Sequence, residues 1–350
     1  MTSSLVLVSV IVLIALAFDF INGFHDAANS IATVVATRVL SPGKAVAWAA
    51  FFNFSAAFLF GTAVAKTVGS GMVHLEFVTP TVILAGLLGA ITWDLLTWWG
   101  GLPSSSSHAL LGGYGGAAMA HVAYLRGFSN SFDAIIPSGW VLTILFILLA
   151  PVIGMLLSIG LMMLIYWCFQ SVSPRAMDKH FRYLQLVSSA MLSLSHGTSD
   201  AQKTMGIITA VLVSSKYLTK FEVPLWVILC SYTAISLGTL SGGWRIVRTM
   251  GGRLTKLKPR SGFCAETAAA LCILFTAHFM HPAPPRFHHP CDGRRNRGRR
   301  IDPTAEGGPV GRCNRNRVGL DTDNSGGRAG GVDAVPRAEF VYLVSNLLPV

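Results

Sequence analysis

Charge is what this sequence has least of. Only 12% of its 350 residues are Asp, Glu, Lys or Arg, against about 25% in a soluble globular domain. With 52% hydrophobic residues and a mean hydropathy of +0.55, that scarcity excludes a soluble domain and leaves a polytopic membrane protein. Patterned cysteine is missing too. Cys168, Cys230, Cys264, Cys272, Cys291 and Cys313 show no paired spacing, which argues against a disulfide framework. No Lys or Arg precedes the first apolar run, which follows only Met1–Ser4. That run is longer than a signal-peptide core, so it reads as a retained span.

What charge there is sits in patches. The net charge of +11 does not signal nucleic acid, because the cations gather in two loops. One holds Arg175, Lys179 and Arg182, the other Arg245, Arg248, Arg253, Lys256, Lys258 and Arg260. The positive-inside rule places both loops in the cytoplasm. Arg38 and Lys44 fall on the same side four spans earlier, which leaves the N-terminus outside.

A span needs about 20 apolar residues. The candidates are Leu5–Ala36, Ala45–Ala65, Val78–Trp99, Ser104–Ala123, Trp140–Phe169, Leu184–Val213, Val223–Gly243 and Gly262–Met280. The first and sixth are long enough to be broken or tilted. The first also contains Asn22-Gly23-Phe24-His25-Asp26-Ala27-Ala28-Asn29, a helix-breaking pair followed by an imidazole, a carboxylate and a carboxamide. A charge at bilayer depth costs roughly 3 kcal/mol on insertion scales, so it has a partner or a task. A second cluster, Gly100-Gly101-Leu102-Pro103-Ser104-Ser105-Ser106-Ser107-His108, interrupts the run Leu84–Gly113. Freed backbone at that depth is tolerated where it faces protein or a wet cavity.

The sixth segment starts over with Ser195-His196-Gly197-Thr198-Ser199-Asp200-Ala201-Gln202-Lys203-Thr204. Aligning Asp26 with Asp200 puts Gly23 on Gly197, His25 on Ser199 and Asn29 on Lys203. Two broken polar helices in corresponding places point to a transporter with an internal repeat and a midplane site. The expected divisions are a first transmembrane repeat over 1–168, a cytoplasmic linker over 169–183, a truncated second repeat over 184–280 and a tail over 281–350.

A second Pro-Ser-rich break is due after Gly262–Met280 and does not follow. Residues 281–350 hold eleven arginines and no lysine, whereas residues 1–280 hold eight of each. Half of the sixteen prolines lie there, and the segment reads as disordered to about Arg337. Phe287-His288-His289-Pro290-Cys291 can be encoded TTC CAC CAC CCA TGC, which reads Ser-Thr-Thr-His when moved by one base. The tail is therefore read as an out-of-frame translation of the missing break. Sequencing the DNA across codons 275–290 tests this, and an intact frame with unrelated codons sinks it. The same reading accounts for His288, His289 and Cys291 better than a metal site does.

The stretches Gly-Phe-His-Asp-Ala-Ala-Asn-Ser at 23–30, Gly-Leu-Pro-Ser-Ser-Ser-Ser-His at 101–108, His-Gly-Thr-Ser-Asp-Ala-Gln-Lys-Thr-Met-Gly at 196–206 and Gly-Phe-Cys-Ala-Glu-Thr at 262–267 together resemble the inorganic phosphate transporter (PiT) family. The resemblance covers residues 5 to about 280. It implies an all-α polytopic membrane bundle of two inverted repeats with discontinuous helices, the second repeat incomplete. It also implies a symporter, not an enzyme, that imports phosphate with H⁺ or Na⁺ and needs no cofactor beyond that cation. Gly-Phe-His-Asp leans toward the bacterial low-affinity branch, similar to proton-coupled carriers of metal–phosphate complexes in the inner membrane. Partners are then phosphate or metal–phosphate and the lipid bilayer, with a second copy of the chain as a candidate. Thr198-Ser199 departs from the family's usual Ala-Asn.

Phosphate near neutral pH suits helix N-termini, whose N–H groups and dipole favour anions. Gly23, Gly101 and Gly197 allow close backbone approach at such breaks. Ser104, Ser105, Ser106 and Ser107 supply hydroxyls, Ser105 and Ser106 being the favoured contacts, and the amides of Gln202 and Asn29 supply donors. Asp26 and Asp200 repel phosphate and are assigned to the coupling ion, with Asn29 as a further ligand; the plain alternative is two aspartates satisfied by helix ends. His25 is either a proton carrier or a hydrogen-bonding spacer. Lys203 either contacts phosphate or forms a structural ion pair with Asp200. His108, Ser199 and Glu266 are supporting residues, Asp94 a structural one, and Trp93, Trp98 and Trp99 an interfacial belt. The competing reading is an intramembrane hydrolase using Ser104–Ser107, His108 and an aspartate, although a nucleophile elbow is missing. An inactive remnant with an aberrant C-terminus is the third.

Overall fold

The computed structural model describes residues 2–59, 61–253 and 257–279. The tail read above as out of frame, with His288, His289 and Cys291, lies outside them. Ten α-helices occupy the described residues: α1 (Thr2–Ala36), α2 (Pro42–Ser55), α3 (Ala63–Ser70), α4 (Pro80–Gly100), α5 (Ser106–Arg126), α6 (Pro137–Cys168), α7 (Pro174–Ser214), α8 (Leu225–Ser241), α9 (Trp244–Arg253) and α10 (Pro259–Phe279). Prolines at the starts of α2, α4, α6 and α7 fit the first helical turn, where a missing N–H costs nothing. Among the described residues the only β pairing is an isolated bridge between Val73 and Ile135.

Among the described residues, Leu5–Ala36, Pro80–Gly100 and Pro137–Cys168 are long and apolar enough to cross a bilayer, and the bent pairs α2–α3 (85°) and α8–α9 (63°), each taken as one span, raise the number to five. Each of the eight expected segments is largely helical where described, but α5, α7 and α10 fall below that mark, α5 and α7 carrying the Ser, His and Asp–Lys clusters. The second expected span, Ala45–Ala65, is divided after Ser55 by a 3₁₀ turn over Ala56–Phe58. α6 exposes Val141, Ile144, Leu148, Val152 and Leu156, a surface that suits lipid.

Two expectations are corrected. Asn22-Gly23 and His196-Gly197 do not break their helices, since α1 and α7 run through them without interruption. Packing decides this. A Cβ at Gly23 would lie 2.1 Å from the Ile235 carbonyl oxygen on α8, and one at Gly238 would lie 2.1 Å from the Phe20 carbonyl oxygen on α1. Glycine at these positions lets the two backbones touch, as small residues do between membrane helices. Most of residues 169–183 are helical, because α7 begins at Pro174, and Arg245, Arg248 and Arg253 lie on α9.

The cationic segments nevertheless share one end. Arg182 donates to the Arg38 carbonyl at 2.6 Å, and Arg260 pairs with Asp178 at 3.1 Å.

The order of packing repeats along the chain. α8 and α9 lie against α1, while α2 and α3 lie against α7. Each long helix is thus gripped by the bent pair from the other part of the chain. Asn53 on α2 donates to Thr239 on α8 at 2.9 Å where the two grips meet.

Candidate functional site

The break between α4 and α5 forms where the sequence places it. Gly101 adopts a left-handed conformation, φ 64°, which favours glycine, and α5 restarts at Ser106. Ser105 is its N-cap, its Oγ accepting the His108 N–H at 3.4 Å. The first N–H groups of α5 have no partner within the helix. Ser104 accepts the Trp93 indole N–H at 2.8 Å. Ser106 is fully buried, its hydroxyl without a partner among the described residues.

α7 meets this helix start through three groups. Lys203 Nζ donates to Asp200 Oδ1 at 2.8 Å and to Ser107 Oγ. Ser107 in turn donates to Asp200 Oδ1 at 3.2 Å. His196, one turn earlier, brings Nδ1 to 3.6 Å of Asp200 Oδ2. Spacings of three and four residues put His196, Asp200 and Lys203 on one face of α7.

α1 supplies the facing set. Asn29 Nδ2 donates to Asp26 Oδ1 at 3.3 Å, and His25 Nδ1 lies 3.4 Å from the same oxygen. The other ring nitrogen of His25 pairs with Thr97 Oγ1 on α4 at 3.0 Å, which locks the ring between two helices. Asp94 on α4 is fully buried, with His25 and Ser106 among its polar neighbours.

Asp26 and Asp200 line one cleft with Gly23, Ser30, Asn53 and His196. Its free volume is about 10 Å³, room for one water or a small ion and too little for phosphate. Two carboxylates, a histidine and the oxygens of Ser30 and Asn53 suit a hard cation or a proton. The described residues contain no group of three or more His, Cys, Asp or Glu able to hold a metal ion.

Several expected residues stand apart from this arrangement. Gln202 is buried and its Oε1 accepts the Val64 N–H of α3 at 3.0 Å. Glu266 lies in another layer, its oxygens accepting from Thr33 (2.6 Å), Gln185 (2.9 Å) and Ser188. Gly23 borders the cleft, but inside an unbroken helix its N–H belongs to the helical ladder. Ser199 is half-buried beside Asp200. Trp93 and Trp99 are exposed, whereas Trp98 packs edge-on against Phe24 at 5.5 Å. Sequence reasoning passed over Asn53, Thr97 and His196. The signal for His196 was its i,i+4 spacing to Asp200; Asn53 and Thr97 are brought in by helix crossings that no local pattern encodes.

The hydrolase arrangement does not assemble. A triad needs a histidine between serine and aspartate, yet Ser107 bonds Asp200 directly.

A profile of the phosphate transporter family matches residues 22–178 and 169–284. The chain is 51% identical over 271 residues to a probable low-affinity inorganic phosphate transporter of Rhizobium meliloti, covering 77% of this chain and 78% of that protein. It is 43% identical over 281 residues to a protein of the same description from Mycobacterium leprae, covering 80% of this chain and 66% of that protein's length. A solved structure of a sodium-dependent phosphate transporter superposes with a TM-score of 0.67 at 21% identity, over 79% of this chain and 86% of that one.

Proposed function

This chain belongs to the phosphate transporter family, a family of carriers rather than enzymes, and from that premise we propose that it is a multi-pass secondary transporter moving inorganic phosphate together with a cation. One observation carries the reading: Asp26 on α1 and Asp200 on α7 share a cleft sized for an ion, beside the start of α5. The cation, H⁺ or Na⁺, occupies that cleft. Phosphate binds next to it at the first turn of α5, on the N–H groups and hydroxyls of Ser105, Ser106 and Ser107, with Lys203 and Asn29 as side-chain donors.

The electrostatics make the two ligands interdependent. Without a cation, two carboxylates repel a phosphate anion; with one bound, the local charge is partly neutralised and the anion's binding improves. By linkage, phosphate then improves cation binding by the same factor. Lys203 is held by Asp200 and Ser107, beside the α5 start. It is therefore already poised at the phosphate position.

The chemistry of the site accommodates phosphate alone or as a neutral metal–phosphate complex, since neutral hydroxyl and amide donors bind either. The bacterial inner membrane is the location this reading assigns. The internal repeat is supported by the way each bent pair grips the opposite long helix, with Asn53 and Thr239 meeting between them.

Uptake of radiolabelled phosphate by proteoliposomes holding the full chain tests the proposal. Accumulation is expected only under an imposed H⁺ or Na⁺ gradient and is expected to be lost in Asp26→Asn and Asp200→Asn. Gradient-independent release of phosphate from an ester, with no accumulation, would overturn it.

A further inference from the structure

Seven residues before Asp26 lies another carboxylate, to which nothing above gives a role. Asp19 is 0% exposed, and neither carboxyl oxygen has a hydrogen-bond partner of ordinary geometry among the described residues. Seven helical residues span about 10 Å and two turns. Asp19 therefore shares the face of α1 that carries Asp26 but sits in a separate layer, and it is not part of the Asp26–Asp200 cleft lining.

Its surroundings are hydroxylic. Thr204 from α7 and Ser231 from α8 lie beside the carboxyl group, and Tyr232 of α8 faces it as well. All three hydroxyls are buried and lack a hydrogen-bond partner of ordinary geometry. The ionisable groups that face Asp19 are Tyr232 from α8 and Asp200 from α7. Neither supplies a positive charge.

An ionised carboxylate in such a place bears a desolvation penalty of several kcal/mol with no counter-charge to offset it. A carboxylic acid bears far less, and its O–H finds acceptors in the surrounding hydroxyls, which donate or accept equally well. A proton also needs no volume, which suits a group with no exposed surface. A buried carboxyl kept without a fixed partner in a membrane helix is by default a working residue.

We propose that Asp19 is a proton-binding site of this carrier, distinct from the Asp26–Asp200 pair. It is loaded as the neutral acid while buried and emptied when α1 and α8 together part from α7 and the carboxyl group meets water. Loading adds one proton and removes one negative charge; release gives the proton to the solvent and restores the negative charge on the carboxylate. Only the transport consequence rests on the phosphate-carrier reading.

Two measurements on the full chain test the site. The infrared difference between wild type and Asp19→Asn at neutral pH is expected to show a carboxylic-acid carbonyl band in the wild type alone, and Asp19→Glu is expected to restore it. In proteoliposomes, one carried proton makes a gradient of one pH unit worth about tenfold in phosphate accumulation. Asp19→Asn is expected to lose that factor and Asp19→Glu to regain it. An absent band overturns the proposal, and so does an Asp19→Asn protein that responds to the gradient as the wild type does. If even the wild type takes up no phosphate, the carrier reading fails, while the infrared band still decides whether Asp19 holds a proton.

Discussion

Lys203 and Asp200 are close, mostly buried and aligned one turn apart, at 15% and 7% side-chain exposure. Removing one member of such a pair leaves the other charge uncompensated, which for a pair this well shielded costs about 2 kcal/mol or more. Lys203→Met is therefore expected to lower the thermal unfolding midpoint in detergent. Lys203→Met with Asp200→Asn is expected to recover much of the loss, so the double-mutant cycle should show strong coupling. Independent, additive losses would contradict the pairing. Residues of this kind were legible in the sequence because a polar side chain in an apolar run must be explained. Gln202 was equally visible but misplaced: its identity announced a buried amide, while its partner, the Val64 N–H, depends on where α3 crosses α7. Asp19 was present to be read at i−7 from Asp26, and only the absence of a partner in three dimensions singles it out.

At the scale of elements, two ties hold α1 in place. The first is the glycine seam with α8. Gly23→Ala puts a methyl group where the Ile235 carbonyl oxygen stands 2.1 Å away, and overpacking of that kind costs about 1–3 kcal/mol. Gly23→Ala and Gly238→Ala are each expected to lower the midpoint, and the pair to lower it by less than the sum, because helices already parted have less to lose. The second tie is Glu266 of α10, which accepts from Thr33 of α1 and from Gln185 and Ser188 of α7. Glu266→Gln replaces one acceptor oxygen with a donor and strands a buried partner, at about 1–3 kcal/mol. The midpoint should fall, and more than for Thr33→Val, which removes one donor only. The helix positions and the α4–α5 break were readable from apolar run length and Gly-Gly-x-Pro. Continuity through Asn22-Gly23 was not, because the preference of an Asn-Gly pair for a turn is weak against a full helix interface.

At the scale of the molecule, the family match ends at residue 284, close to where the composition turns at His281. Replacing the tail from that point with the alternative frame's translation is expected to raise gradient-driven phosphate uptake well above that of the present chain; equal uptake by both would refute the expectation that the present tail impairs transport. The described helices carry a mechanical consequence as well. α1 and α8 touch backbone to backbone at Gly23, and α7 and α2 do so at Gly197, where a Cβ would lie 2.7 Å from the Asn53 carbonyl oxygen. Contacts without intervening side chains have no rotamers to adjust, so each couple travels as a rigid bar. The ion cleft has one wall from each bar, and the Asn53–Thr239 hydrogen bond is a latch between them. Opening the cleft then amounts to unfastening that latch while both seams stay shut.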